Sequence, residues 1–291
     1  LSALATFEAD RRAVMAARIE RRTARGRNRE RITFLDADAR IPGTEIKVQD
    51  ARDGKFSGGE IPADLKRQWI QGTGPAAKPN SPIERSIRNV AYALLSGADG
   101  WMFDGEDALG QITTMSLDNQ RNLKLAIAKD PLFLMAAEQV ASEMNKWGQG
   151  FFGRPIIENW QRQLDFTTRI FRARGLHLDD RHIRAADGKG FSASMVDAAL
   201  YVTNNHQQLA QRGSSVVLYL PKIQTAGEAA VWNRILTALE DHLGLSTGTI
   251  KCYVLVEQLE ASYQLMAIRA ALGKHFVGYN TGRWDYINSV S

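Results

Sequence analysis

The chain has one cysteine, Cys252, among 291 residues. A lone thiol excludes an internal disulfide framework and any zinc site built from several cysteines, and it suits a reducing compartment. Long apolar runs are missing as well. No stretch approaches the ~18 residues that a helix needs to cross a bilayer, which argues against a membrane partner. Glu8, Asp10, Arg11 and Arg12 interrupt the first dozen residues, so no secretory signal is expected there and a cytoplasmic setting is. Histidines are few and scattered; His177 and His182 read as structural or surface residues. What is present is ordinary for a globular protein: 44% hydrophobic and 24% charged residues, with 24 glycines and 8 prolines. That balance excludes wholesale disorder, and the length allows one large domain or two modest ones.

The formal charge of +5 raises the question of nucleic acid, but its location weakens it. Residues 1–31 hold nine of the 37 basic residues and four of the 32 acidic ones, leaving 28 of each in the remainder. The surplus is therefore one arginine-rich segment attached to a neutral body. Ala3, Leu4, Phe7, Val14, Met15 and Ile19 supply an apolar stripe on which that segment can dock as a helix, with its arginines solvated. This reading argues against nucleic acid as a partner and leaves a homo-oligomer open.

Beyond Gly26 the helical pattern fades, and Ile32–Phe34 and Ile46–Val48 are β-prone. From Ile61 onward, short apolar strands alternate with amphipathic helices, as in βαβ units on a parallel sheet. About six strands are expected, near residues 68–73, 100–103, 168–174, 216–220, 250–256 and 276–279. One helix opens at Ser81-Pro82-Ile83-Glu84, with Ser81 as the expected N-cap and Ile87, Val90, Ala91, Leu94 and Leu95 on its apolar face. Thr225 and Glu228 form a second capping-box pattern before Trp232, Ile235, Leu236 and Leu239. A last helix is expected over Leu259–Leu272, closed by Gly273.

Polar groups collect at the carboxyl ends of these strands: Asp104, Glu106 and Asp107; Arg172 and Arg174; Glu257; and Asp285. In a parallel β/α protein those ends share one face, where such folds place their chemistry. Glu257 and Asp285 follow successive strands, so both carboxylates can reach one cation. An all-oxygen donor set with room for water and substrate suits Mg2+ better than zinc. The turn Gly282-Arg283-Trp284-Asp285 can aim backbone N–H groups at an anion.

The run Phe276-Val277-Gly278-Tyr279-Asn280-Thr281-Gly282-Arg283-Trp284-Asp285-Tyr286-Ile287 closely resembles the G-L-N-x-G-R-W-D-Y-I signature of malate synthases. Further blocks agree in order: Ile61-Pro62-Ala63-Asp64-Leu65, Thr73-Gly74-Pro75, Asp104-Gly105-Glu106-Asp107 (D-x-E-D), Arg172-Ala173-Arg174-Gly175-Leu176-His177-Leu178 (R-P-R-G-W-H-L), Leu220-Pro221-Lys222, Gly248-Thr249-Ile250-Lys251 and Val254-Leu255-Val256-Glu257. Gly105, Ala173 and Leu176 depart from the family's usual Phe, Pro and Trp. The resemblance implies a TIM-type (β/α)8 barrel of which about six strands are present. Residues 1–60 form an arginine-rich helix and lead-in, and residues 61–291 form the partial barrel. The remaining strands and a helical domain carrying the catalytic Asp are expected beyond Ser291.

By the same resemblance, the protein is expected to condense acetyl-CoA with glyoxylate, or a related 2-oxoacid, and to hydrolyse the thioester to malate and CoA. Glu257 and Asp285 would bind Mg2+, and Arg172 would be the catalytic cation that stabilises enolate and alkoxide. Gly282, Arg283, Trp284 and Asp285 would hold the glyoxylate carboxylate; Glu106, with Asp104 and Asp107 behind it, would order metal-bound water, and Arg174 would stand in the same outer layer. Two alternatives stay open: an acyl-CoA lyase cleaving malyl-CoA-type thioesters, and a non-catalytic homologue or binding module that uses the arginine-rich helix.

Overall fold

A computed structural model describes residues 1–78, 81–107 and 113–290. In chain order the helices are α1 (Phe7–Asn28), α2 (Val48–Arg52), α3 (Ile83–Leu94), α4 (Thr113–Ala128), α5 (Pro131–Phe152), α6 (Trp160–Phe166), α7 (Ala193–Gln211), α8 (Ala226–Leu243), α9 (Leu259–Ser262), α10 (Leu265–Leu272) and α11 (Trp284–Val290). The strands are β1 (Ile70–Gly72), β2 (Gly100–Asp104), β3 (Thr168–Arg172), β4 (Asp179–Arg184), β5 (Gly190–Ser192), β6 (Val216–Leu220), β7 (Ile250–Val256) and β8 (Phe276–Thr281). All six strands expected from the sequence form, as β1, β2, β3, β6, β7 and β8.

The chain divides into two compact units, one comprising residues 61–174 and 200–218, the other residues 1–60, 175–199 and 219–291. In the first, the strands run in the order β1-β2-β3-β6. The pairs β1/β2 and β2/β3 are parallel, with Asp104 opposite Arg172 in register. β3 is buried along its whole length, as a strand covered on both faces must be. Arg169, at its amino-terminal end, is buried and donates to the Leu164 carbonyl at 2.8 Å. Desolvation pushes its guanidinium down to about 10. α3 buries Ile87, Val90, Ala91 and Leu94 as its period predicts, but Ser81 does not cap it. Pro82 itself is the N-cap residue, in an extended conformation with no side-chain acceptor. α4 and α5, which the sequence reading did not mark, follow; Asp130 caps α5 by accepting the Leu132 N–H, with Pro131 at its start.

The second unit holds β6 from its last two residues onward, in the order β6-β7-β8, with β7 and β8 parallel. β7 is wholly buried, and within it Cys252 is inaccessible, its thiol pushed up by desolvation. α8 is capped by Thr225, which accepts the Glu228 N–H, and it buries Trp232, Ile235, Leu236 and Leu239. The expected last helix is broken into α9 and α10, because Gln264 leaves the helical conformation and accepts the Ala226 N–H at 3.0 Å. A hairpin, β4 and β5, is a further element that the sequence reading omitted. The β-prone segments 32–34 and 46–48 form no strand: one isolated bridge joins Arg40 and Lys47, and Val48 opens α2.

α1 docks only partly through the expected stripe, whose Phe7, Val14 and Met15 are half-buried. Ile19 is 67% exposed, whereas Leu4, Glu8 and Arg11 are buried. Arg11, Arg18 and Arg25 recur every seven residues, two helical turns apart, and so share one face. Arg11 donates to the Leu176 carbonyl and pairs with Asp179 at 2.6 Å. Arg18 pairs with Glu228 at 2.7 Å, and Arg25 pairs with Glu260. The surface beneath α1 presents buried carboxylates and backbone carbonyls, so it selects donors over aliphatic side chains.

Candidate active site

The first cluster follows from the β2/β3 register. Because Asp104 lies opposite Arg172, their side chains leave the two strand ends side by side. Arg172 pairs with Glu106 at 2.6 Å, Asp107 at 2.7 Å and Asp104 at 3.4 Å. Asp104 also accepts the N–H groups of Glu106 and Asp107, which folds the acidic turn back onto the arginine. Gly105 fits here because its N–H donates to the Arg172 carbonyl at 3.0 Å. A Cβ at that position would stand 2.6 Å from the same oxygen. Arg174, also buried, donates to Ser116 Oγ at 2.9 Å. Arg172 is thus a fixed, desolvated cation held by three carboxylates.

The second cluster lies at the ends of β6, β7 and β8. Glu257 follows β7 directly and is 2% exposed, while Asp285 sits in the first turn of α11. Their carboxylate oxygens approach within 4.8 Å of one another. Gly282 brings the two chain segments together: its N–H donates to the Val256 carbonyl at 2.8 Å. That N–H is therefore already engaged, and the glycine's contribution is close approach. A Cβ at Gly282 would lie 2.8 Å from Glu257 Cβ and 3.2 Å from Leu255 Cδ1. Arg283 and Trp284 are exposed, the guanidinium lying 4.5 Å from the indole centroid.

Lys222 is the functional residue the sequence reading left without a role. Its Nζ contacts Glu257 at 3.2 Å and also Asp285. Its N–H donates to Glu257 Oε1 at 2.7 Å. The backbone is left-handed there, with φ of 58°, which is uncommon for a residue with a side chain. The Lys222 carbonyl accepts from Arg18 at 2.7 Å, tying α1 to this turn. The only sequence signal was the Leu220-Pro221-Lys222 block.

A parallel β/α architecture with acidic and arginine side chains at the carboxyl ends of its strands defines a domain of the TIM-barrel class. The comparisons agree. The family model "Malate synthase, TIM barrel domain" matches residues 168–290. Malate synthase A of Escherichia coli (strain K12) is 34% identical over 249 residues, covering 86% of this chain and 41% of that protein. Malate synthase of Myxococcus xanthus (strain DK1622) is 33% identical over 270 residues, 93% of this chain and 44% of that one. Malate synthase of Arabidopsis thaliana is 31% identical over 253 residues, covering 86% and 40%. Over most of its length the chain is similar to malate synthases, and its residues 168–290 match that family's barrel domain. It spans about two-fifths of the length of the curated relatives it matches. Among the described residues, no helix is long and apolar enough to cross a membrane.

Proposed function

We propose that the protein takes part in a Mg2+-dependent condensation of acetyl-CoA with glyoxylate, followed by thioester hydrolysis to malate and CoA. The observation that carries this reading is the Glu257–Asp285 pair, two carboxylates from adjacent strand ends gathered around one cationic group, the Lys222 ammonium. The donor set is all oxygen and strongly anionic, which fits a hard divalent ion. Glu257 and Asp285 would hold it. When bound, such an ion polarises the carbonyl of a 2-oxoacid as a Lewis acid.

The remaining roles fall to the chain's own side chains. Arg172 would bind the thioester oxygen as the acetyl methyl loses its proton, placing a fixed positive charge where negative charge develops. Because three carboxylates already hold the guanidinium, little reorganisation accompanies that step. Asp104, Glu106 and Asp107 keep Arg172 oriented, and Arg174 anchors the same strand end through Ser116. The Gly282–Asp285 turn would receive the 2-oxoacid carboxylate, with Gly282 giving close access and Arg283 at its edge.

The test is release of free thiol from acetyl-CoA by the full chain, with glyoxylate and Mg2+ each required. Arg172→Ala should abolish turnover, and Asp285→Asn should abolish both turnover and the heat of Mg2+ binding in calorimetry. Near-normal rates in either variant would overturn the assignment. Formation of acetyl-CoA from malyl-CoA without thiol release would show a lyase instead.

A further inference from the structure

A cleft of about 290 Å3 opens at the amino-terminal ends of β3 and β6. Thr168, the first residue of β3, and Ser214, just before β6, lie in its wall. Arg172 is at the other end of β3, ~13 Å along the strand, so the cleft is separate from the candidate active site. Three arginines line it from three segments: Arg67 before β1, Arg162 in α6, and Arg212 directly after α7. Two acids line it as well, and both are committed. Asp64 accepts the Ser215 N–H at 2.8 Å on one oxygen and the Ser215 hydroxyl at 2.7 Å on the other. Asp165 pairs with Lys129 at 2.6 Å. None of the three arginines forms an ion pair among the described residues. Arg67 lies 4.2 Å from the Phe166 ring centroid and donates to the Phe166 carbonyl at 2.9 Å, contacts that fix its guanidinium without neutralising it. Arg212 is half-buried, and its Nη1 is inaccessible and has no acceptor among the described residues. Arg169 lies close by: desolvation, and after it the charge of Arg212, holds its guanidinium down, with a smaller opposing effect from Asp165. Neither Arg169 nor Arg212 has a carboxylate in ion-pair contact.

Positive charge left unpaired and partly desolvated is costly, and its complement is an anion. Guanidiniums on three separate walls suit a tetrahedral group, whose oxygens point in several directions, better than a planar carboxylate that one bidentate arginine satisfies. The volume is at the lower end of the range for small-molecule sites, which fits a small anion rather than a nucleotide. We infer that this cleft binds a phosphate group, as the free ion or a small monoester, with Arg67, Arg162 and Arg212 as its ligands. The Ser214 hydroxyl stands at its edge as a further donor. A bound phosphate would tie together the lead-in to β1, the α6–β3 corner and the α7–β6 turn. The site lies at the end of the strands away from the chemistry and does not depend on the proposed reaction.

The test is calorimetric titration of the full chain and of its Arg162→Gln/Arg212→Gln variant with inorganic phosphate, glycerol 3-phosphate and malonate, at fixed ionic strength and without Mg2+. The expected result is saturable binding of a phosphate probe by the parent, weakened at least about 10-fold in the variant. Malonate should bind the parent at least about 10-fold more weakly than that probe. Whichever phosphate probe binds more tightly identifies the source, free ion or ester. At 100 times its Kd that probe should raise the parent's melting temperature by about 4 K and leave the variant's unchanged. Arg162 is exposed, so Arg162→Gln alone should fold as the parent does and carries the test if the double variant does not fold. Its phosphate binding should weaken at least about 3-fold. No saturable heat from either phosphate probe would overturn the inference, as would equal phosphate affinity in parent and variant. Malonate binding as tight as phosphate would also overturn it, because the arginines would not be reading a tetrahedral group.

Discussion

Arg18→Met is the sharpest probe of what α1 does. Its partner Glu228 has no exposed side-chain surface and accepts Arg18 Nε at 3.1 Å and Nη2 at 2.7 Å. The same arginine donates to the Lys222 carbonyl at 2.7 Å. Removing one partner of a buried ion pair costs ~3–5 kcal/mol, because the other charge stays buried. Glu228 keeps the Gln224 N–H at 2.8 Å and a weaker contact with Arg21 at 3.5 Å, which places the expected loss at the low end, ~3 kcal/mol. Unfolding entropy for a chain of this size is ~0.6 kcal/mol per kelvin, so the melting temperature should fall by ~5 °C. The double variant Arg18→Met/Glu228→Gln should recover most of that loss, since it removes the stranded charge. Scanning calorimetry at low and at 0.5 M salt measures both, and a buried pair should respond little to salt. A loss below ~1 kcal/mol, or strictly additive single variants, would refute the view that α1 is held by desolvated ion pairs.

Two further outcomes follow from local geometry. Gly282→Ala places a methyl 2.8 Å from Glu257 Cβ and should cost ~1–3 kcal/mol by overpacking. It should also weaken Mg2+ binding ~10-fold by displacing Glu257, and unchanged binding and stability would contradict this reading. His275 is buried, and desolvation lowers its pKa, against the buried Glu240 at 3.6 Å and with Lys251 nearby. Its Nδ1 donates to the Ile250 carbonyl at 2.8 Å. The unfolded imidazole takes up a proton near pH ~6.5 while the folded one resists, so the unfolded state binds more protons below that pH. Stability should therefore fall as pH drops from ~7 toward ~5, and His275→Gln should flatten the dependence. Equal pH slopes in urea denaturation of the two proteins would exclude His275 as the source.

The strands were legible because each is a short apolar run bounded by turns, and the carboxylates and arginines at their ends could be read from position alone. α1 was half legible. Hydrophobic period singles out Phe7, Val14 and Ile19, but the inward face is set by Arg11, Arg18 and Arg25. The acids paired with Arg18 and Arg25 lie 210 and 235 residues away, beyond any local pattern. α5 carried a readable start in Asp130-Pro131, and the β4/β5 hairpin carried one in Asp187-Gly188, with Gly188 at φ of 77°. Lys222 carried almost none. Its left-handed backbone falls on a residue type that does not advertise it, and only the fold brings its ammonium to Glu257 and Asp285.

The single cysteine has a practical consequence. Cys252 lies in the middle of fully buried β7, inaccessible, with its thiol held in the protonated form. Maleimides and iodoacetamides should leave the folded chain unmodified, so a cysteine introduced at an exposed position becomes the one reactive handle for a fluorophore or spin label. The native thiol then serves as a built-in clock. Its alkylation rate reports how often β7 separates from its neighbours, with no label attached to the molecule at all.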